Sequence, residues 1–204
     1  MYKKPVIIFE GIEGSGKTFH INFVSKYLKK KKIKHILIRE PGGSANSEKI
    51  RKLILNDNFH FNKNTDLLLY LASRSENIDL LKKNYKKKLI LIDRFTDSTI
   101  AYQHYGFGVN LSVINFINNY LLKDFRPNFT FINIVNSQNM KKRLRIRKKL
   151  NRYDKFNLNF YKKVQAGFLK ISKNKKNKYK IINSNLEINL NKEIIRKQID
   201  KLIN

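Results

Sequence analysis

A chain of 204 residues has room for one compact domain with a sizeable core. Hydrophobic residues at 41 % and aromatics at 12 % exclude a disordered chain. No apolar run approaches the ~20 residues of a membrane span, and the lack of cysteine excludes both a disulfide framework and a thiolate metal site. Lys and Arg number 44 against 15 acids, a net charge of +29 that would ordinarily point to nucleic acid. The excess is mostly Lys, in runs at 29–32, 82–88 and 173–178 that lack the stacking aromatics of a single-strand binder. It accompanies abundant Asn, Ile, Phe and Tyr, which share A/T-rich codons with Lys. The charge therefore reads as codon drift, no nucleic-acid partner is expected, and the positive field is left to draw in anionic substrates. His20, His35, His60 and His104 show no ligand spacing. The chain enters an apolar strand at once, without the apolar region of a signal peptide, so the cytoplasm is the expected compartment.

In chain order, Val6–Phe9 reads as a buried strand. A helix over about 17–31 follows, with Phe19, Phe23, Val24, Tyr27 and Leu28 on one face. Ile33–Ile38 reads as a second strand, stopped by the Arg39-Glu40-Pro41-Gly42-Gly43 turn. Helical patterns cover Ser47–Leu55, with Ile50, Leu53 and Ile54 inward, and one long stretch from Thr65 to Asn84. Leu89–Ile92 is a short continuous apolar run, as expected of a parallel strand buried on both faces. A loop and helix start follow at 95–103. Further helices are expected at 110–122, 140 to about 149, 156 to about 171 and 190–203, and strands at 128–135 and 179–182. Residues 148–155 read as a polar break. This alternation predicts an α/β fold, a five-stranded parallel sheet with helices on both faces, whose ligands lie beyond the carboxyl ends of the strands.

The first strand runs straight into Gly11-Ile12-Glu13-Gly14-Ser15-Gly16-Lys17-Thr18. This is G-x-x-x-x-G-K-[ST] between a strand and a helix, the pattern of a phosphate-binding loop. Its glycines permit backbone conformations in which successive N–H groups face phosphate oxygens, and the helix start adds positive potential. Lys17 is placed to reach the β- and γ-phosphates of a nucleoside triphosphate, and the Thr18 hydroxyl to bind Mg²⁺. Asp93 ends an apolar strand, the position of a carboxylate that helps hold Mg²⁺. A GTPase is disfavoured, because neither D-x-x-G nor N-K-x-D occurs. Arg39, Arg51, Arg74 and Arg94 fall near the same end of the sheet, a set suited to a second, phosphate-bearing substrate. Arg143, Arg145 and Arg147 stand before the polar break and fit a closing lid or a solvated helix face equally well.

These motifs together resemble the thymidylate kinase family, over most of the chain. The likeness is carried by F-E-G-I-E-G-S-G-K-T, R-E-P-G-G-S, E-K-I-R-K-L-I-L, L-L-L-Y-L-A-S-R, the D-R-F-x-D-S-T-x-A-Y-Q block and the arginine-rich region 143–152. The resemblance implies a P-loop nucleoside-monophosphate-kinase-like fold, single-domain with a lid at about 143–155. It also implies transfer of the γ-phosphoryl group of ATP to dTMP, giving dTDP with Mg²⁺, usually in a homodimer. It places Glu13 against the deoxyribose 3′-hydroxyl. Arg94, with Arg39 or Arg51, goes on the 5′-phosphate, and Glu40 joins the same binding set. Tyr70 stands where the family stacks a Phe on thymine, Arg74 donates to a base carbonyl, and Thr99 and Gln103 read the base edge. Tyr102 crowds a ribose 2′-hydroxyl. Gly14 and Ser15 stand where one branch of the family has an arginine; in the bacterial-type branch the lid supplies that charge. Arg143, Arg147 and Arg152 are therefore the lid candidates beside Lys17 and Arg94. Ser44 replaces the usual Thr, and Ile134 an acidic residue.

Overall fold

The computed structural model describes residues 4–173 and 177–204; residues 174–176 of the third Lys run lie outside them. Five strands, β1 (Val6–Gly11), β2 (His35–Arg39), β3 (Leu89–Asp93), β4 (Phe129–Ile134) and β5 (Tyr179–Asn183), form one parallel sheet in the order β2-β3-β1-β4-β5. Successive side chains on a strand face opposite ways, and here both sides find apolar cover. Ile7 and Phe9 pack beneath α1 (Lys17–Lys30) and α9 (Ile188–Ile203), against Val24, Leu28, Ile195 and Ile199. Val6 and Ile8 pack on the other side, with Ile78, Leu81, Phe95 and Leu122. These last come from α4 (Ile78–Asn84), the loop after β3, and α6 (Leu111–Leu122). Burial on both faces is why these strands read as continuous apolar runs rather than alternating ones.

The predicted helix from Thr65 to Asn84 is two helices, α3 (Lys63–Ser75) and α4, broken at Glu76–Asn77. The break has a tertiary cause. Asn77 is buried, donates from Nδ2 to the Gly42 carbonyl at 2.8 Å and accepts from Ser44 N–H at 3.0 Å, so it ties the Pro-Gly-Gly turn to this point. Ser44 in turn caps α2 (Ala45–Leu55) by accepting from Ser47 N–H. The helix expected from Met140 to about Lys149 is α7, Ser137–Arg145, begun by the Asn136 cap. Phe19 and Leu53, expected inward, are exposed, and buried His20 and Ile21 take the inner face of α1. Helix α5 (Thr96–Thr99) continues as a π-helical segment (Ile100–Gly106) pressed against α8 (Leu158–Ser172). The contact needs Gly167, where a Cβ would lie 2.6 Å from the Tyr105 ring. A 3₁₀ turn, Arg152–Lys155, replaces the last part of the predicted polar break.

Candidate active site

Strand register brings the chemistry to one edge. Phe9 and Arg39 both pair with Asp93, and Gly11 pairs with Asn133, so β1, β2, β3 and β4 end nearly level. Gly11 has φ +140°, and a Cβ there would lie 2.3 Å from the Asn133 carbonyl oxygen, so β4 leaves space for no side chain. Gly14 and Gly16 take φ +68° and +84°, left-handed conformations of the kind that form anion-binding concavities. Gly16 opens α1 without any side-chain cap, which leaves the helix's first N–H groups for a phosphate.

Lys17, 7 % exposed, donates from Nζ to the Ile12 carbonyl at 3.1 Å. Burial, and then the charge of Arg94, lower its pKa to about 8, while Asp93, Glu13 and Glu10 act the other way. A buried ammonium destabilised in this way favours the arrival of an anion, which raises its pKa again. Thr18 Oγ1 donates to Asp93 Oδ2 at 3.1 Å. A hydroxyl and a carboxylate side by side are hard oxygen donors that fit Mg²⁺, an ion commonly held by one or two protein oxygens plus substrate phosphates.

Beyond the loop lies a cavity of about 200 Å³. Glu13, Lys17, Thr18 and Asp93 form its floor. Arg39, Glu40, Arg51 and Arg94 line it with charge, and Tyr70, Tyr102, Gln103 and Tyr153 line it with rings and an amide. Arg94 sits at φ +68°, strained for a residue with a side chain. The side chain is held by Glu13 Oε1 at 2.6 Å and lies over the Tyr102 ring at 5.2 Å. The Tyr102 hydroxyl donates to the other oxygen of Glu13. Arg51 Nη1 donates to the Pro41 carbonyl at 2.6 Å, and Arg39 forks onto Glu48.

Arg74, Thr99, Arg143 and Arg152 stand off the cavity wall. Arg74 is 2 % exposed and donates to Glu40 Oε2 (2.8 Å), Asn118 Oδ1 (2.6 Å) and Thr99 Oγ1 (3.1 Å), with Phe95 stacked on it. Arg74 and Thr99 thus support the wall instead of lining it. Arg143 reaches under the phosphate loop to the carbonyls of Gly14 (2.9 Å) and Ser184 (2.6 Å). Arg147 lines the cavity and pairs with Asp154, while Arg152 pairs with buried Asp66.

Sequence reasoning missed Tyr153, Asn151 and Ser98 on the wall, and Asp66 and Glu10 behind it. One signal was available: Asn151-x-x-Asp154 is a capping box, with Asn151 accepting at the turn and Asp154 accepting from Asn151 N–H. It marks the supposed polar break as structured.

Fold and site define a class first: a P-loop kinase of the nucleoside-monophosphate type, its phosphate loop facing a cavity lined by arginines and tyrosines. The thymidylate kinase profile matches residues 9–195, and the chain belongs to the thymidylate kinase family. It is 32 % identical to the thymidylate kinase of Kosmotoga olearia, over 96 % of this chain and 93 % of that one. It is 37 % identical to that of Mycoplasma capricolum, over 89 % and 88 %. The crystal structure of thymidylate kinase from Ehrlichia chaffeensis superposes with a TM-score of 0.78 at 30 % identity, covering 97 % of this chain and 99 % of that one.

Proposed function

We propose that the cavity holds dTMP, with its 5′-phosphate among Arg94, Arg51 and Arg39, its sugar beside Glu13 and Tyr102, and its base against Tyr70 and Gln103. The activity is that of the family, transfer of the γ-phosphoryl group of ATP to dTMP to give dTDP. The observation that carries the site assignment is the Glu13–Arg94–Tyr102 cluster. Glu13 belongs to the phosphate loop and the other two to the acceptor cavity, so donor and acceptor subsites share one set of hydrogen bonds.

The acceptor is a phosphate oxygen already ionised at neutral pH, so positioning and charge neutralisation carry the catalysis and no strong base is needed. Lys17 takes the charge of the transferring phosphoryl group, and Arg94 aligns the acceptor. Thr18 and Asp93 would hold Mg²⁺, which when bound neutralises charge on the donor phosphates. Residues 143–155 serve as the lid. Arg147 contributes from the cavity side, Arg143 steadies the loop from below, and Arg152 anchors the lid turn. The experiment is ADP release by purified protein with Mg²⁺, ATP and dTMP, dUMP, CMP or AMP. Turnover with dTMP well above the others is expected; none with dTMP refutes the reading.

Homodimerisation belongs to the same proposal. Val113, Phe116 and Tyr120 lie at i, i+3 and i+7 on α6, with Phe116 74 % and Tyr120 70 % exposed, and Leu68 of neighbouring α3 is exposed too. An apolar stripe of this kind suits a second copy. Phe116→Asp should shift the protein from dimer to monomer in sedimentation velocity. No described helix is long and apolar enough to cross a membrane. The cytoplasm is the proposed compartment.

A further inference from the structure

We infer that Asp66 is a positioning residue that sets the direction of the Gln103 amide and thereby the preference for a base with a ring N–H over one with a ring acceptor. The inference rests on the reading of the cavity as a dTMP site. Asp66 lies in the first turn of α3, is 3 % exposed, and sits behind the wall. It accepts from Gln103 Nε2 at 3.2 Å, from the Tyr153 hydroxyl at 2.5 Å and from Arg152 Nη2.

A carboxylate paired with a guanidinium offers acceptors only. The Gln103 side chain must therefore turn its NH₂ toward Asp66 and its Oε1 elsewhere. Oε1 makes no hydrogen bond to any described residue, is not among the buried unpartnered atoms, and belongs to a side chain lining the cavity. The structure thus presents a fixed acceptor to the bound base. Thymine and uracil carry N3–H, a donor, flanked by carbonyls; cytosine carries an N3 lone pair. An acceptor facing N3 suits the first pair and repels the third, and the Asp66 contact opposes a flip of the amide. Arg152 and Tyr153 hold Asp66 in place from the lid turn, so the selector is anchored to the segment that covers it.

The test compares dTMP with dCMP as acceptors for wild type and Asp66→Asn. The introduced amide can donate or accept, so Gln103 gains both orientations. The ratio of kcat/KM for dTMP over dCMP should fall at least tenfold, with the KM for ATP unchanged. A merely structural role would lower both acceptors in proportion; an unchanged ratio overturns the inference. Gln103→Ala gives an independent reading if Asp66→Asn does not fold. It should lose the same preference, and a Gln103→Ala protein that keeps the wild-type ratio also overturns it. Wild type that phosphorylates neither acceptor overturns the dTMP reading itself, a result distinct from either.

Discussion

Glu10 tests the electrostatics of the loop that carries Arg94. It lies fully buried at the end of β1, and its Oε1 accepts from the N–H groups of Phe95 (2.8 Å) and Ser98 (3.1 Å). Its Oε2 faces Ser98 Oγ at 2.5 Å. Burial first, and then the Asp97 carboxylate, raise its pKa from 4.5 to about 8, against smaller opposing effects of Ser98, Arg94 and Phe95. Ser98 Oγ donates to Oε2 in the structure; with Glu10 protonated at pH 7 that hydroxyl turns to accept the acid O–H instead. Gln is the isostere of that state: its carbonyl accepts the same two N–H groups and its NH₂ donates to the same hydroxyl.

The sign follows from proton counting. Between pH 4.5 and 8 the unfolded chain has released this proton and the folded chain has kept it, so Glu10 makes stability fall as pH rises, by at most ~1.4 kcal/mol per unit. Over the whole window the ceiling is about 5 kcal/mol, and relaxation around the pair with Asp97 reduces it to roughly 2–3 kcal/mol. Glu10→Gln removes the titration. At pH 5 it should match wild type within about 1 kcal/mol. At pH 9 it should melt about 5–10 °C higher, using ~2–4 °C per kcal/mol for a chain of this size. Glu10→Ala strands two buried N–H groups at ~1–3 kcal/mol each and is destabilised throughout. His20 does not feel Glu10 and titrates alike in both proteins, whereas Lys17 does feel it, so the comparison reads Glu10 together with its effect on Lys17. A Gln variant as unstable as the Ala variant at pH 5, with no gain at pH 9, would show that Glu10 is held ionised.

Three further outcomes are expected. His20, buried and held below its usual pKa, at about 4, by burial and then by Arg143 and Lys192, stays neutral and bonds the Asn133 amide; stability should fall as pH drops from 6.5 to 4, and His20→Gln should flatten that part of the melting profile. Arg74→Ala leaves Glu40 buried without its partner and should cost about 3–5 kcal/mol, seen as a Tm drop of ~6–20 °C, before any change in acceptor preference is measured. Gly11→Ala sets a Cβ against the Asn133 carbonyl and should abolish ATP binding in calorimetry while far-UV circular dichroism stays helical.

What the sequence revealed and what it hid separate by range. The phosphate loop was legible because its requirements are local: glycines at set spacings, a strand before and a helix after. Asp93 was legible because a strand buried on both faces announces itself as an apolar run and its end is visible. The break at Asn77 was not, since the cause is a turn 35 residues away, whose backbone that side chain completes. Arg74 had the right type for a base contact, yet its direction depends on Glu40, Asn118 and Thr99, which come from three separate segments.

The wall behind the base shows the limit most clearly. Asp66 and Tyr153 are 87 positions apart, and neither carries a pattern that names the other. Arginines stand out in a sequence because phosphate chemistry calls for them. An acidic residue that only turns an amide stands out nowhere, since its effect exists only once Gln103 is beside it. The two kinds of residue also differ in what their loss removes. On the proposed reading, loss of Lys17 or Arg94 takes away the reaction with any acceptor, whereas loss of a residue like Asp66 leaves the reaction and removes the distinction between acceptors. In a P-loop kinase the phosphate chemistry is common to many substrates, so the distinguishing residues must act on the base end. There the packing of distant segments, and no local motif, sets which way a hydrogen bond runs.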